Sequence, residues 1–261
     1  VITSVHPYLE DFLRSKLIKA ENKTWMLRLT LISALCFWLT MASALNLDSL
    51  WGVWNDKSQH DTNRLKAIYD IAWDGYVYTQ PDSAFYFGQM QYDLAKKTGH
   101  KKWIARALNV QGKSFDEKND YDQALSYYRK CLKIFDEIGD KNSIANYYNT
   151  IGIIYTYQGN YEQSLDYLDK SLKIFDEIGD KNKKASSLNN IGNIYWRQGN
   201  YEQALEYYDK SLKIFKEIGN KKGIAASLNN IGIIYKNQGN YEKALEYYDK
   251  SLKIKEEIGD K

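Results

Sequence analysis

Asn109, Asn149, Asn189 and Asn229 stand at an unbroken step of 40 residues, and their type and spacing suggest chemistry of their own. A carboxamide offers one donor side and one acceptor side, so it can pair with both halves of a peptide group. Four in register could hold a polypeptide segment by its main chain, with Ile153, Tyr157, Trp196 and Ile233 offering apolar surface for its side chains. The same amides could instead tie neighbouring helices together, and the spacing leaves both readings open. Catalysis lacks its residues. His6, His60 and His100 are dispersed, and Cys36 and Cys131 form no metal or disulfide spacing. No Ser-His-Asp set, Cys-His set or phosphate-cradling glycine loop is written in the chain. The expectation is a protein that is not an enzyme, with no cofactor and no metal.

What must position the amides is a repeat. Gly112, Gly152, Gly192 and Gly232 keep the 40-residue step, as do Gly99, Gly139, Gly179, Gly219 and Gly259. A period of that length without an insertion marks a solenoid whose units stack on one another. Within a unit, Ala185, Leu188, Ile191 and Tyr195 recur at helical steps, as do Leu205, Tyr208, Leu212 and Phe215, so each unit reads as two amphipathic helices. Between them Gly199 supplies a left-handed residue to close the first helix, Asn200 a cap for the second and Gln203 an answering partner. Gly192 and Ala204 mark close approaches. One such pair cannot bury its own apolar face, so stacking is obligatory.

From residue 105 to 261 the chain carries 24 Lys and Arg against 23 Asp and Glu. A surface for polyanions needs a basic excess, so no nucleic-acid partner is expected. Cys131 occupies the place of Ser171, Ser211 and Ser251 and reads as a small packing residue. Asp209, Lys210, Lys213 and Glu217 read as a solvated outer face, and Tyr207 and Tyr208 as packing.

The run Leu188-x-x-Ile191-Gly192-x-x-Tyr195, followed by Gly199-Asn200-Tyr201, Ala204 and Tyr208, resembles the tetratricopeptide repeat. The likeness covers 105–261 and, more loosely, 62–100. The chain departs from the usual 34-residue unit by six added residues and by the missing closing proline, which is similar to the long-helix subclass found in adaptor proteins. The resemblance implies an all-α, right-handed superhelical solenoid of antiparallel helix pairs whose first helices line a concave wall. Residues 185–221 and 225–261 are identical at 29 of 37 positions. Among the differences are Asn193 against Ile233, Trp196 against Lys236 and Arg197 against Asn237, all on the first helix. By the resemblance these are groove positions, edited while the framework is copied.

The front of the chain is expected to comprise an extension at 1–25, an export signal at 26–44 ending in Ala42-Ser43-Ala44, a lead-in at 45–60 and a degenerate capping helix pair at 61–104. Four 40-residue units then fill 105–261, the last of them truncated. The apolar stretch is short for a bilayer, and an uncleaved membrane tether through 29–45 is the alternative to cleavage. The expected location is the periplasm or cell envelope. The leading function is a scaffold that binds a protein or peptide in the concave groove. Two alternatives stand beside it: a sensor region of a membrane signalling protein with a nucleotide cyclase or histidine kinase beyond Lys261, which the capping segment resembles, and an architectural envelope spacer.

Overall fold

The computed structural model of the chain describes residues 47–259. The expected extension, export signal and tether fall on residues 1–45 and lie outside the described residues. Among the described residues no helix is long and apolar enough to cross a membrane.

Two units divide the chain, at 1–67 and 68–261. In the first, helix α1 (residues 47–55) ends at Asp56, whose carboxylate accepts from the backbone N–H and hydroxyl of Ser58 at 2.9 and 2.6 Å. Arg64, on helix α2 (Asp61–Asp70), donates to the Trp54 carbonyl at 3.0 Å and lies 5.2 Å from the Trp54 ring centroid.

The second unit opens with a π-helical turn, Ile71–Tyr76, that the residue pattern did not foretell, and continues as helix pairs. They are α3 (Pro81–Lys97), α4 (Lys101–Asp116), α5 (Tyr121–Ile138), α6 (Lys141–Tyr157), α7 (Tyr161–Glu177), α8 (Lys181–Arg197), α9 (Tyr201–Glu217), α10 (Lys221–Asn237) and α11 (Tyr241–Glu257). Consecutive helices pack in antiparallel pairs, and the described residues contain no strand. The second unit is thus an all-α solenoid. Pro81 starts α3 at the first-turn position, where its missing N–H costs nothing.

Turn chemistry explains the punctuation. Gly199 sits at φ +75° after α8, a conformation in which a Cβ would be strained. At the corresponding place in the first full unit stands Asn119 at φ 59°, the one described non-glycine with positive φ. Asn200 then accepts from the backbone N–H of Gln203 at 3.2 Å, and its side-chain amide donates to the Gln203 side chain at 2.7 Å. The expected exchange therefore closes between the two side chains, rather than by Gln203 reaching back to the backbone.

The glycine inside each first helix has a different cause. A Cβ added at Gly192 would lie 2.6 Å from Cε1 of Tyr208, and one at Gly232 would lie 2.8 Å from Cε1 of Tyr248. In these units the tyrosine ring rests directly on the helix backbone, and at Gly152 Leu168 takes that place, 2.8 Å from an added Cβ. Tyr208 is buried beside Leu212, Leu228, Ile231 and Ile234, a core shared by α9 and α10 of adjacent units. That sharing is the reason one unit cannot stand alone.

A polar seam runs through this apolar stack. Ser171, Ser211 and Ser251 donate to the carbonyls of Ala145, Ala185 and Ala225 at 2.8, 2.7 and 2.8 Å, and Cys131 makes the weaker equivalent to Ala105 at 3.3 Å. Each ties a second helix to the first helix of its own unit. Burial pushes the Cys131 thiol up to about 12.

Candidate functional site

The first helices α4, α6, α8 and α10 build one wall from a repeated stripe. On α4 the stripe reads Lys102, Arg106, Asn109; on α8 it reads Asn182, Ser186, Asn189. Each set lines a cavity, of about 370 and 470 Å³ respectively. The equivalence is a rise of two units, because an undeviating period returns the same helical face each time.

A third cavity, of about 250 Å³, lies further along the wall, where α6 supplies Ile153, Thr156 and Tyr157 and α8 supplies Asn190, Asn193, Trp196 and Arg197. Five of the residues singled out by sequence meet here: Ile153, Tyr157, Asn193, Trp196 and Arg197. Tyr157 is 56% exposed, leaving its ring available, and it stacks on Tyr121 at 6.1 Å. The Arg197 guanidinium carbon lies 5.8 Å from the ring centroids of both Tyr157 and Trp196. Asn193 accepts from the Tyr208 hydroxyl at 2.7 Å, which aims its amide. The site therefore combines an apolar floor, ring faces, an amide and a cation. Ile233, Lys236 and Asn237 hold the corresponding places on α10, Ile233 half-buried and the other two exposed.

The asparagine ladder divides. Asn189 is buried; its amide nitrogen donates to the Ser227 hydroxyl at 3.0 Å, and that hydroxyl donates to its Oδ1 at 3.3 Å. Asn149 accepts from the Asn190 amide at 3.0 Å and from the Ser187 hydroxyl at 3.4 Å. At these two positions the amides join first helices of adjacent units. Asn109 lines the α4 cavity, half-buried, and the residue 38 further on is Tyr147 where later units have Ser187 and Ser227. Asn229 is also half-buried.

Sequence reasoning missed the other asparagines of the wall: Asn142, Asn146, Asn182, Asn190, Asn220 and Asn230. They share the wall with the ladder and bond along it, Asn220 donating to Asn182 at 2.7 Å and Lys183 to Asn142 at 2.9 Å. The signal was present as three- and four-residue steps back from Asn189 and Asn193, but several of these positions vary between units and so fell outside both the copied and the edited sets. Asp140 is the acid lining these cavities. The Ser143 backbone N–H holds its carboxyl below the usual range, and Lys102 stands 4.0 Å away. A fourth cavity, about 470 Å³, opens among α3, α4 and α5 beside Gln89, Tyr92, Leu108 and Gln111 and was not anticipated. At the Leu108 position α6 instead has Tyr148, which rests against Tyr167 at 5.9 Å.

Tetratricopeptide repeat family models match residues 105–137, 143–217 and 183–257. No curated protein sequence matches the chain. Among solved structures, BtubC from P. vanneervenii superposes with a TM-score of 0.69 at 16% identity, over 85% of this chain and 91% of that one. A signal transduction ATPase from Pyrococcus horikoshii with a tetratricopeptide repeat sensor gives 0.66 at 22%, over 77% of this chain and 31% of that one. A Rap protein complexed with competence and sporulation factor gives 0.60 at 15%, over 77% of this chain and 66% of that one. At these identities the likeness is one of fold. With the repeat models spanning more than half of its residues, and with helix pairs stacked at a constant period, the chain belongs to the tetratricopeptide repeat family.

Proposed function

We propose that this chain is a non-catalytic scaffold whose first-helix wall receives a segment of another protein. The observation that carries the reading is the cavity of Ile153, Tyr157, Asn193, Trp196 and Arg197, drawn from two successive units. Aromatic and arginine side chains over a partly apolar floor are the composition that dominates binding energy at interfaces. The Rap protein solved in complex with competence and sporulation factor carries a similar fold, which supports a wall that receives a partner. Because Asn149 and Asn189 are engaged between helices, and Asn190 is spent on Asn149, the main-chain role of the ladder falls to Asn109 and Asn229, with Asn193 beside the cavity.

A random peptide display library panned on the full chain tests this. Peptides that occupy the wall should lose roughly tenfold to hundredfold in affinity on Trp196→Ala, with the helical circular dichroism unchanged. Selected peptides indifferent to that change, or no selected peptide at all, would overturn the reading. Export is proposed on the residues before Leu45: protein recovered from the cell envelope should begin at Leu45 by terminal sequencing, and an intact bond after Ala44 would favour the tether.

A further inference from the structure

We infer, building on the scaffold reading, that the segment received by the wall is acidic, with carboxylate side chains meeting Arg106 and Arg197. The near-neutral total of the array conceals a division of charge. Helices α4, α6, α8 and α10 together carry twelve Lys and Arg and a single acid, Asp116, which Lys113 pairs at 2.8 Å. Helices α5, α7, α9 and α11 carry seventeen Asp and Glu against twelve Lys and Arg. The first helices, which supply the wall, are thus net basic and the second helices net acidic, a division hidden in the near-neutral total.

Some of the wall cations are already answered. Lys101, Lys141 and Lys221 pair across to Glu137, Glu177 and Glu257 at 2.9, 3.1 and 2.9 Å. Arg106 and Arg197 are different: among the described residues neither has a carboxylate within 4 Å. Each is instead seated on aromatic rings, Arg106 at 4.5 Å from the Trp103 centroid and 5.6 Å from Tyr69, Arg197 between Tyr157 and Trp196. Contact with ring faces leaves the N–H fork of a guanidinium free to pair, and a carboxylate matches that fork. The neighbouring amides donate as well as accept, so they accommodate an anion without repelling it. Asp140, the acid lining these cavities, is turned to the start of α6, where it accepts from Ser143 at 3.0 Å. An acidic segment is therefore attracted to the first helices and repelled by the second, which sets where it docks as well as how fast.

The test takes the tightest display-selected peptide whose binding is lost in Trp196→Ala and resynthesises it with Glu, Gln or Lys at its charged positions. The Glu form should bind best to the full chain and weaken as salt rises. Arg106→Gln and Arg197→Gln should each weaken it roughly tenfold with the helical spectrum retained, while Lys210→Gln on α9 should not. A wall-bound peptide that binds equally well with Gln or Lys would sink the acidic partner and leave the scaffold standing. Failure to select any wall-dependent peptide would sink both. A single-stranded oligonucleotide that displaces the Glu peptide and binds more tightly would reassign the wall to nucleic acid and overturn the inference.

Discussion

Two residues carry opposite lessons about single side chains. Gly192 is required by space alone: with Tyr208 Cε1 2.6 Å from any added Cβ, Gly192→Ala should destabilise the fold by about 1–3 kcal/mol in urea titration through overpacking. Gly112→Ala, whose nearest atom would be 3.0 Å away, should cost less. Asn189 is held by chemistry. Asn189→Ala removes both bonds to Ser227 and leaves that buried hydroxyl with only Ser211 at 3.5 Å, so a loss of about 1–3 kcal/mol is expected, with peptide affinity unchanged. Cys131 adds a pH signature. Its thiol is raised in the folded state from an ordinary 9.0 to about 12; between those values the unfolded chain has ionised and the folded one has not. Its contribution is therefore full below pH 9 and is lost as pH climbs to about 12. Cys131→Ser, which installs the hydroxyl used by the other units, should shrink that alkaline loss when the melting curves of the two proteins are compared.

At the scale of the helix, boundaries are set by a left-handed residue followed by an amide or carboxylate cap. Gly199→Ala forces a Cβ into φ +75° and should cost about 1 kcal/mol or more. The reverse change at the first full unit, Asn119→Gly, relieves the one non-glycine held at positive φ among the described residues and should be neutral or stabilising by thermal melt. These caps were legible in sequence because they are local: Asn200 finds Gln203 three residues on, with no help from elsewhere. The π-helical turn Ile71–Tyr76 was not legible, since nothing in its residue types distinguishes it from the helix that precedes it. Ion pairs joining helices are a weaker matter. Lys141 and Glu177 are each at least 60% exposed, so Lys141→Gln should leave the urea midpoint unchanged, because solvent screens the pair and side-chain entropy opposes it.

At the scale of the array, each unit is completed by its neighbour, and protection should follow that. Leu212 is 7% exposed beneath α10, whereas its counterpart Leu252 on α11 is 54% exposed. Hydrogen exchange of this chain should therefore be fastest in α11 and slowest in α6 to α9, and uniform protection would contradict nearest-neighbour stacking. The sequence by itself determined the period, the helix pairs, the caps and the glycine positions where paired helices approach closely, because each is written within 40 residues and repeated. It also brought five cavity residues, Ile153 to Arg197, onto one list, since edited positions on a copied helix face share a surface. Only the tertiary structure decided which asparagines are engaged: Asn189 and Ser227 are 38 residues apart, and whether an amide meets a neighbour or remains open to a ligand depends on how closely two units approach. The division of charge between first and second helices was likewise unreadable from totals, because a neutral sum holds for any arrangement until each residue is assigned to its helix.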